Sequence, residues 1–144
     1  MYADYTFYTD SFYGTAISAA DFPRLASRAS DFIDYYTRGK AAEVGETETA
    51  IITSLAKACC AVAERIQTDE ANEAIVAKAQ AAALSASTGE VKSESVGSWS
   101  ASYATASDYT GANARDAILA ARAVYAAIAA EYLTNTGLLY RGGC

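Results

Sequence analysis

Alanine is the dominant apolar residue of this chain. It has the best helix propensity but little side-chain area. A chain built on alanine therefore folds into helices, and these must either approach closely or leave burial to larger residues. Tyrosine supplies that bulk, with 11 residues against 4 phenylalanines and 1 tryptophan. It buries a large ring while keeping a polar tip, and it is enriched at protein interfaces. The 144 residues, 52% of them hydrophobic, suit a single domain that buries roughly two thirds of its unfolded surface.

Residues 1–17 are rich in aromatic and β-branched residues up to Gly14–Thr15 and read as an extended arm. Residues 18–85 read as helices. The first starts near Ser18–Asp21, with Asp21 as cap and Pro23 in the first turn. Phe22, Leu25, Ala29, Phe32, Ile33 and Tyr36 form its stripe, and Asp34–Arg38 stand at ion-pair spacing. A glycine-bounded loop, Thr37 to Glu46, follows. The second helix covers about Thr47 to Thr68, with Ile51, Ile52, Leu55, Ala58, Cys59, Val62 and Ile66 inward. Lys57, Glu64, Arg65 and Asp69 lie off that stripe and are expected in solvent. Glu70 to Ser85 has helix propensity but only a thin apolar line through Ile75, Ala79, Ala82 and Ala83. It reads as a separate weak helix or an extension of the second.

Residues 86–112 change character to Ser, Thr and Gly. Short alternation around Gly97-Ser98, flanked by Val96 and Trp99, resembles a β-hairpin or an extended loop. Residues 113–136 read as a helix capped by Asn113, with Ile118, Ala121, Tyr125, Ile128, Ala129, Tyr132 and Leu133 on one face. Gly137 is the expected left-handed stop, and residues 137–144 form an extended apolar tail. The expected fold is mostly α. It is a small bundle of three to four helices with an extended N-terminal arm, a long hairpin-like loop and an extended C-terminal tail.

Net charge −6 and a pI near 4.5 disfavour gripping a phosphate backbone or an anionic membrane. No run of 18 apolar residues is present, Arg122 and Glu131 interrupt the most apolar part, and the acidic start lacks a signal-peptide pattern. No membrane span is expected, and the protein should stay in the compartment where it is made. The three cysteines suit a reducing compartment: Cys59 and Cys60 are adjacent on a helix and point in different directions. Cys59 reads as a small buried hydrophobe. There is no histidine, so catalytic Ser-His or Cys-His arrangements are excluded and a zinc site is not expected. The carboxylate pairs Asp31–Asp34 and Glu46–Glu48 lack a supporting ligand set and read as surface charge. No enzyme activity, cofactor, metal or catalytic residue is expected.

Three stretches carry a resemblance. They are YTDSFYGTAISAADFPRLASRASDFIDYYT (Tyr8 to Thr37), SESVGSWSASY (Ser93 to Tyr103) and EYLTNTGLLYRGGC (Glu131 to Cys144). Together they resemble the small head–tail connector, adaptor or head-completion proteins of long-tailed bacteriophages. The resemblance implies a mostly helical subunit of a ring, typically of about twelve copies, under the portal of the capsid. Such a ring extends the DNA channel without reading sequence and offers a docking surface to the next tail-side connector or stopper protein. It implies a virion protein of the neck, made in the host bacterial cytoplasm.

On that resemblance, the tail residues Leu138, Leu139, Tyr140 and Arg141 are expected to contact the portal protein. Val96, Trp99 and Tyr103 are expected to contact an adjacent subunit or the tail-side partner. Self-packing within the subunit is the competing use of both segments. The competing function is a small helical adaptor that binds one cellular protein and forms no ring.

Overall fold

The computed structural model describes the backbone of residues 1–86, 93–96, 99–102 and 111–140, and the side chains of residues 1–85 and 115–140. Four α-helices dominate it: α1 (Tyr5–Asp10), α2 (Phe22–Thr37), α3 (Thr49–Ala86) and α4 (Gly111–Leu133). Strands β1 (Ser93–Val96) and β2 (Trp99–Ser102) pair antiparallel between α3 and α4, with Val96 opposite Trp99. The mostly-α expectation holds. The chain divides into two compact units, Met1–Glu70 with Arg122–Cys144, and Ala71–Ala121.

The first unit contains the core. Phe22, Leu25, Ala26, Ala29 and Ile33 of α2 meet Leu55, Ala58, Cys59, Val62 and Ala63 of α3, with Ala129 and Leu133 of α4. These positions recur at three- and four-residue steps, so each helix buries one stripe. Ser30 and Thr37 lie buried on the same face of α2 and bond back to the carbonyls of Ala26 and Ile33, which satisfies their hydroxyls. Both Cys59 and Cys60 are fully buried. Burial pushes both thiols up, Cys60 to about 12, so they stay protonated and unreactive. Cys59 is the buried hydrophobe expected of it.

The extended N-terminal arm is corrected. Asp4 accepts a bond from Phe7 N (2.7 Å) and caps α1 within it, and Tyr8 of α1 is fully buried. The tyrosine does three jobs at once. Its ring packs 4.9 Å from that of Phe22. Its hydroxyl donates to Glu64 Oε1 (2.7 Å) on α3 and accepts from the backbone N–H of Ala16 (2.9 Å) and Ile17 (3.0 Å). A β-branched, aromatic segment reads as extended by propensity, but burial of one ring and its bonds overrides propensity. Gly14 lies under that ring: a Cβ there would stand 2.0 Å from Tyr8 Cε2. The preceding turn holds Tyr13 in the left-handed region, φ 59°, which costs an L-residue roughly 1–2 kcal/mol.

Several local expectations also change. Asp21 makes no side-chain cap bond to α2. Its carboxylate instead accepts from Ser18 Oγ (2.7 Å). Arg38 ends α2 in the left-handed region with Gly39 beside it, outside the helical geometry that the expected i, i+4 pair requires. Asp34 accepts the Tyr2 phenol instead. Glu64 and Asp69 are half-buried and partnered rather than free in solvent. Glu64 holds Tyr8, and Asp69 accepts from Tyr125 (2.8 Å) and pairs with Arg65 (2.9 Å). The weak helix is a continuation of α3 through Ala86, and α4 begins at Gly111, which places Asn113 inside the helix rather than at its cap. Gly137 is left-handed at φ 76°, as expected of a helix stop.

One expectation about membranes needs amendment. Arg115–Thr136 is long and apolar enough to cross a bilayer by length and composition, despite Arg122 and Glu131. Alanine raises its hydropathy without any run of large residues. In this fold its C-terminal part packs in the core through Ala129 and Leu133.

Candidate functional site

Among the described residues, no group of three or more acidic or cysteine side chains could hold a metal ion. The features that remain are surfaces.

The first is the C-terminal tail. Leu138 is 9% exposed and belongs to the core cluster, with Leu139 packed against it. Tyr140 is 67% exposed. Lys40 Nζ donates to the Tyr140 carbonyl, and Tyr36, Thr37, Arg38, Lys40 and the tail line a cavity of about 160 Å³. Leu138 therefore packs within its own chain, as does part of Leu139. Tyr140 is left facing solvent, and Arg141 lies outside the described residues. The reason is the Gly137 turn, which reverses the chain after α4 and brings Leu138 back to the core.

The second is the hairpin. Val96 and Trp99 are cross-strand partners at its end, so the alternation around Gly97-Ser98 marked a real pairing. Their side chains, and Tyr103, lie outside the described residues.

The third surface was only partly legible. From Ala71 to Ser85, and again from Arg115 to Ala120, every described side chain is exposed. The exposed set includes Ile75, Val76, Leu84, Ile118 and Leu119, with Leu84 at 82%. Ile75 and Ile118 were expected on buried stripes. Val76, Leu84 and Leu119 carried no signal, because a lone aliphatic residue among alanines has no period to mark it. Together they are the large aliphatic side chains left exposed on these two stretches.

The fourth was not anticipated. Arg28, Asp31, Phe32 and Tyr35 of α2 and Arg122 of α4 line a groove of about 270 Å³. The Arg122 guanidinium carbon lies 5.6 Å from the centre of the Tyr35 ring, within cation–π range. Phe32 meets Tyr125 edge-on and stacks on Tyr36, so the groove floor is built of packed aromatic rings. Glu70 holds both Arg28 and Arg24 on the same side of α2, and this pairing lowers the Glu70 carboxyl. Residues Asp31 and Tyr35 repeat at the i, i+4 spacing that puts them on one helix face; Asp31 reads as surface charge in the sequence.

No family model, no curated protein and no solved structure matches this chain.

Proposed function

We propose that this protein is a structural subunit of a bacteriophage neck. In this reading it forms a ring that joins the capsid portal to the tail and continues the DNA channel. Two things support the reading. The first is the resemblance of three separate stretches to head–tail connectors. The second, which carries it, is the set of exposed aliphatic side chains on the described helices of the Ala71–Ala121 unit: Ile75, Val76, Leu84, Ile118 and Leu119. A chain that leaves this much apolar helix uncovered gains stability by covering it with another polypeptide. The acidic balance suits a channel through which DNA slides without being held. Tyr140, at the open end of the tail, and the hairpin residues Val96 and Trp99 are the positions offered to portal and tail-side partners.

The test is the mass of the purified protein across a concentration series, alone and mixed with the portal from the same phage, with negative-stain images of each sample. Rings, alone or seated on the portal, are the expected outcome. A monomer at every concentration that also ignores the portal would reject this function and leave the single-partner adaptor as the better reading.

A further inference from the structure

Tyr13 is a residue whose identity the subunit's own fold does not require. The turn over Gly14 needs a left-handed residue at position 13, φ 59°. Glycine or asparagine would supply that conformation at lower cost. The chain instead places a large aromatic there and leaves it 80% exposed. A strained backbone position carrying an exposed ring points toward use outside the subunit.

The groove between α2 and α4 has the matching chemistry. Its volume, about 270 Å³, exceeds the roughly 150 Å³ that encloses a benzene ring. Tyr35, 69% exposed, offers a ring face, and Arg122 offers a guanidinium for cation–π contact. The Asp31 carboxylate, also on the groove wall, is an acceptor for a phenol. That pairing is one the chain uses three times internally, in Tyr2–Asp34, Tyr8–Glu64 and Tyr125–Asp69. Tyr13 is not among the residues lining the groove of its own subunit.

We propose that Tyr13 of one copy inserts into the Asp31–Tyr35–Arg122 groove of the next copy. The contact joins two different surfaces of the same chain, so it is head-to-tail. Such contacts generate closed rings when the rotation between copies closes. The occupant is a second copy rather than an unrelated protein because knob and socket, with complementary ring, cation and carboxylate chemistry, are both present on this chain. The inference rests on the ring reading and assigns it a subunit contact.

The experiment compares wild type, Tyr13→Gly, Tyr35→Ala and the double variant by sedimentation, each alone and on the portal. Tyr13→Gly relieves the left-handed strain, so its thermal midpoint should be no lower than wild type. Its self-association should nevertheless weaken about tenfold or more, as loss of an aromatic anchor does. Tyr35→Ala should weaken association similarly, and the double variant should be no weaker than the worse single, because both remove one contact. Rings that form undiminished from Tyr13→Gly, or losses that simply multiply in the double variant, overturn the proposed contact while leaving the ring reading intact. A wild-type chain that stays monomeric with and without portal overturns both.

Discussion

The two compact units use the same residue type in opposite ways. In the unit formed by Met1–Glu70 and Arg122–Cys144, Ala26, Ala29, Ala58, Ala63 and Ala129 are fully buried. Larger side chains close over them: Tyr8 and Phe22 at one end, Leu25, Ile33, Val62 and Leu133 between. In the second unit the alanines of Ala71–Ser85 and Arg115–Ala120 are exposed, in company with Ile75, Leu84 and Leu119. The described side chains of the two units also differ in their aromatic residues. Alanine permits close approach but supplies little apolar area, while burial of an aromatic ring supplies much of the driving force. Among the described side chains of the second unit there is no aromatic residue, and those of Ala71–Ser85 and Arg115–Ala120 are exposed.

The contrast can be broken most directly at Tyr8. Tyr8→Ala removes the buried ring and leaves Glu64 and two backbone N–H groups without their partner, so it should cost about 4 kcal/mol or more in urea unfolding. A cost below 1 kcal/mol would show that the ring does not organise the first unit. Gly14→Ala attacks the same place from the other side. Its Cβ would collide with the Tyr8 ring, and overpacking of this kind should cost about 1–3 kcal/mol; a neutral outcome would mean that the loop moves freely off the ring.

The tyrosine–carboxylate pairs also predict a response to alkali. Burial, then the bond to Asp69, pushes the Tyr125 phenol up to about 12, and burial with the Asp34 and Glu64 bonds raises Tyr2 and Tyr8. A phenol raised above its ordinary value near 10 keeps its proton in the folded state longer than in the unfolded chain. Its stabilisation is therefore whole below pH 10 and lost as pH rises toward 12. Urea midpoints should be level from pH 8 to 9.5 and fall steeply above pH 10. Tyr125→Phe should flatten part of that fall, and an identical profile in the variant would reject the pairing as its source.

The smallest effect on the isolated fold belongs to the second unit. Ile75→Ser with Leu119→Ser should change unfolding stability by no more than about 0.5 kcal/mol, because neither side chain is buried. The same pair of changes should reduce assembly by tenfold or more if these faces are covered by another polypeptide. A large loss of stability in the monomer would show that the faces are already covered within the chain.

Much of the first unit was legible. The stripes of α2 and of the first part of α3 were placed by spacing except at Ile52, which is exposed, and Leu55, Val62, Ile66 and Leu133 are buried where periodicity put them. The hairpin was marked by alternation around two turn-forming residues, and Gly137 by its position after the last apolar turn. The candidate surfaces were less legible. Leu138 looked like a free apolar arm because sequence shows that a residue follows a helix stop, and not where the reversed chain then lands. The groove escaped notice because Asp31 and Tyr35 become neighbours of Arg122 only when α2 and α4 pack. Tyr13 gave no signal, since φ is a property of the turn that Tyr8 and Gly14 make together.

What the sequence alone determined was the helical character of the chain, through alanine propensity and the three-and-four spacing of its larger apolar residues. These are local properties, written in neighbouring residues. Only the tertiary structure decided which tyrosines become pins and which face solvent. Tyr8 and Tyr13 stand five positions apart in a uniformly aromatic stretch, yet one is fully buried and the other almost fully exposed. The reason is that a phenol's role depends on the carboxylate and backbone donors brought to it from elsewhere. Glu64, 56 residues away from Tyr8, reaches it only through the packing of α3.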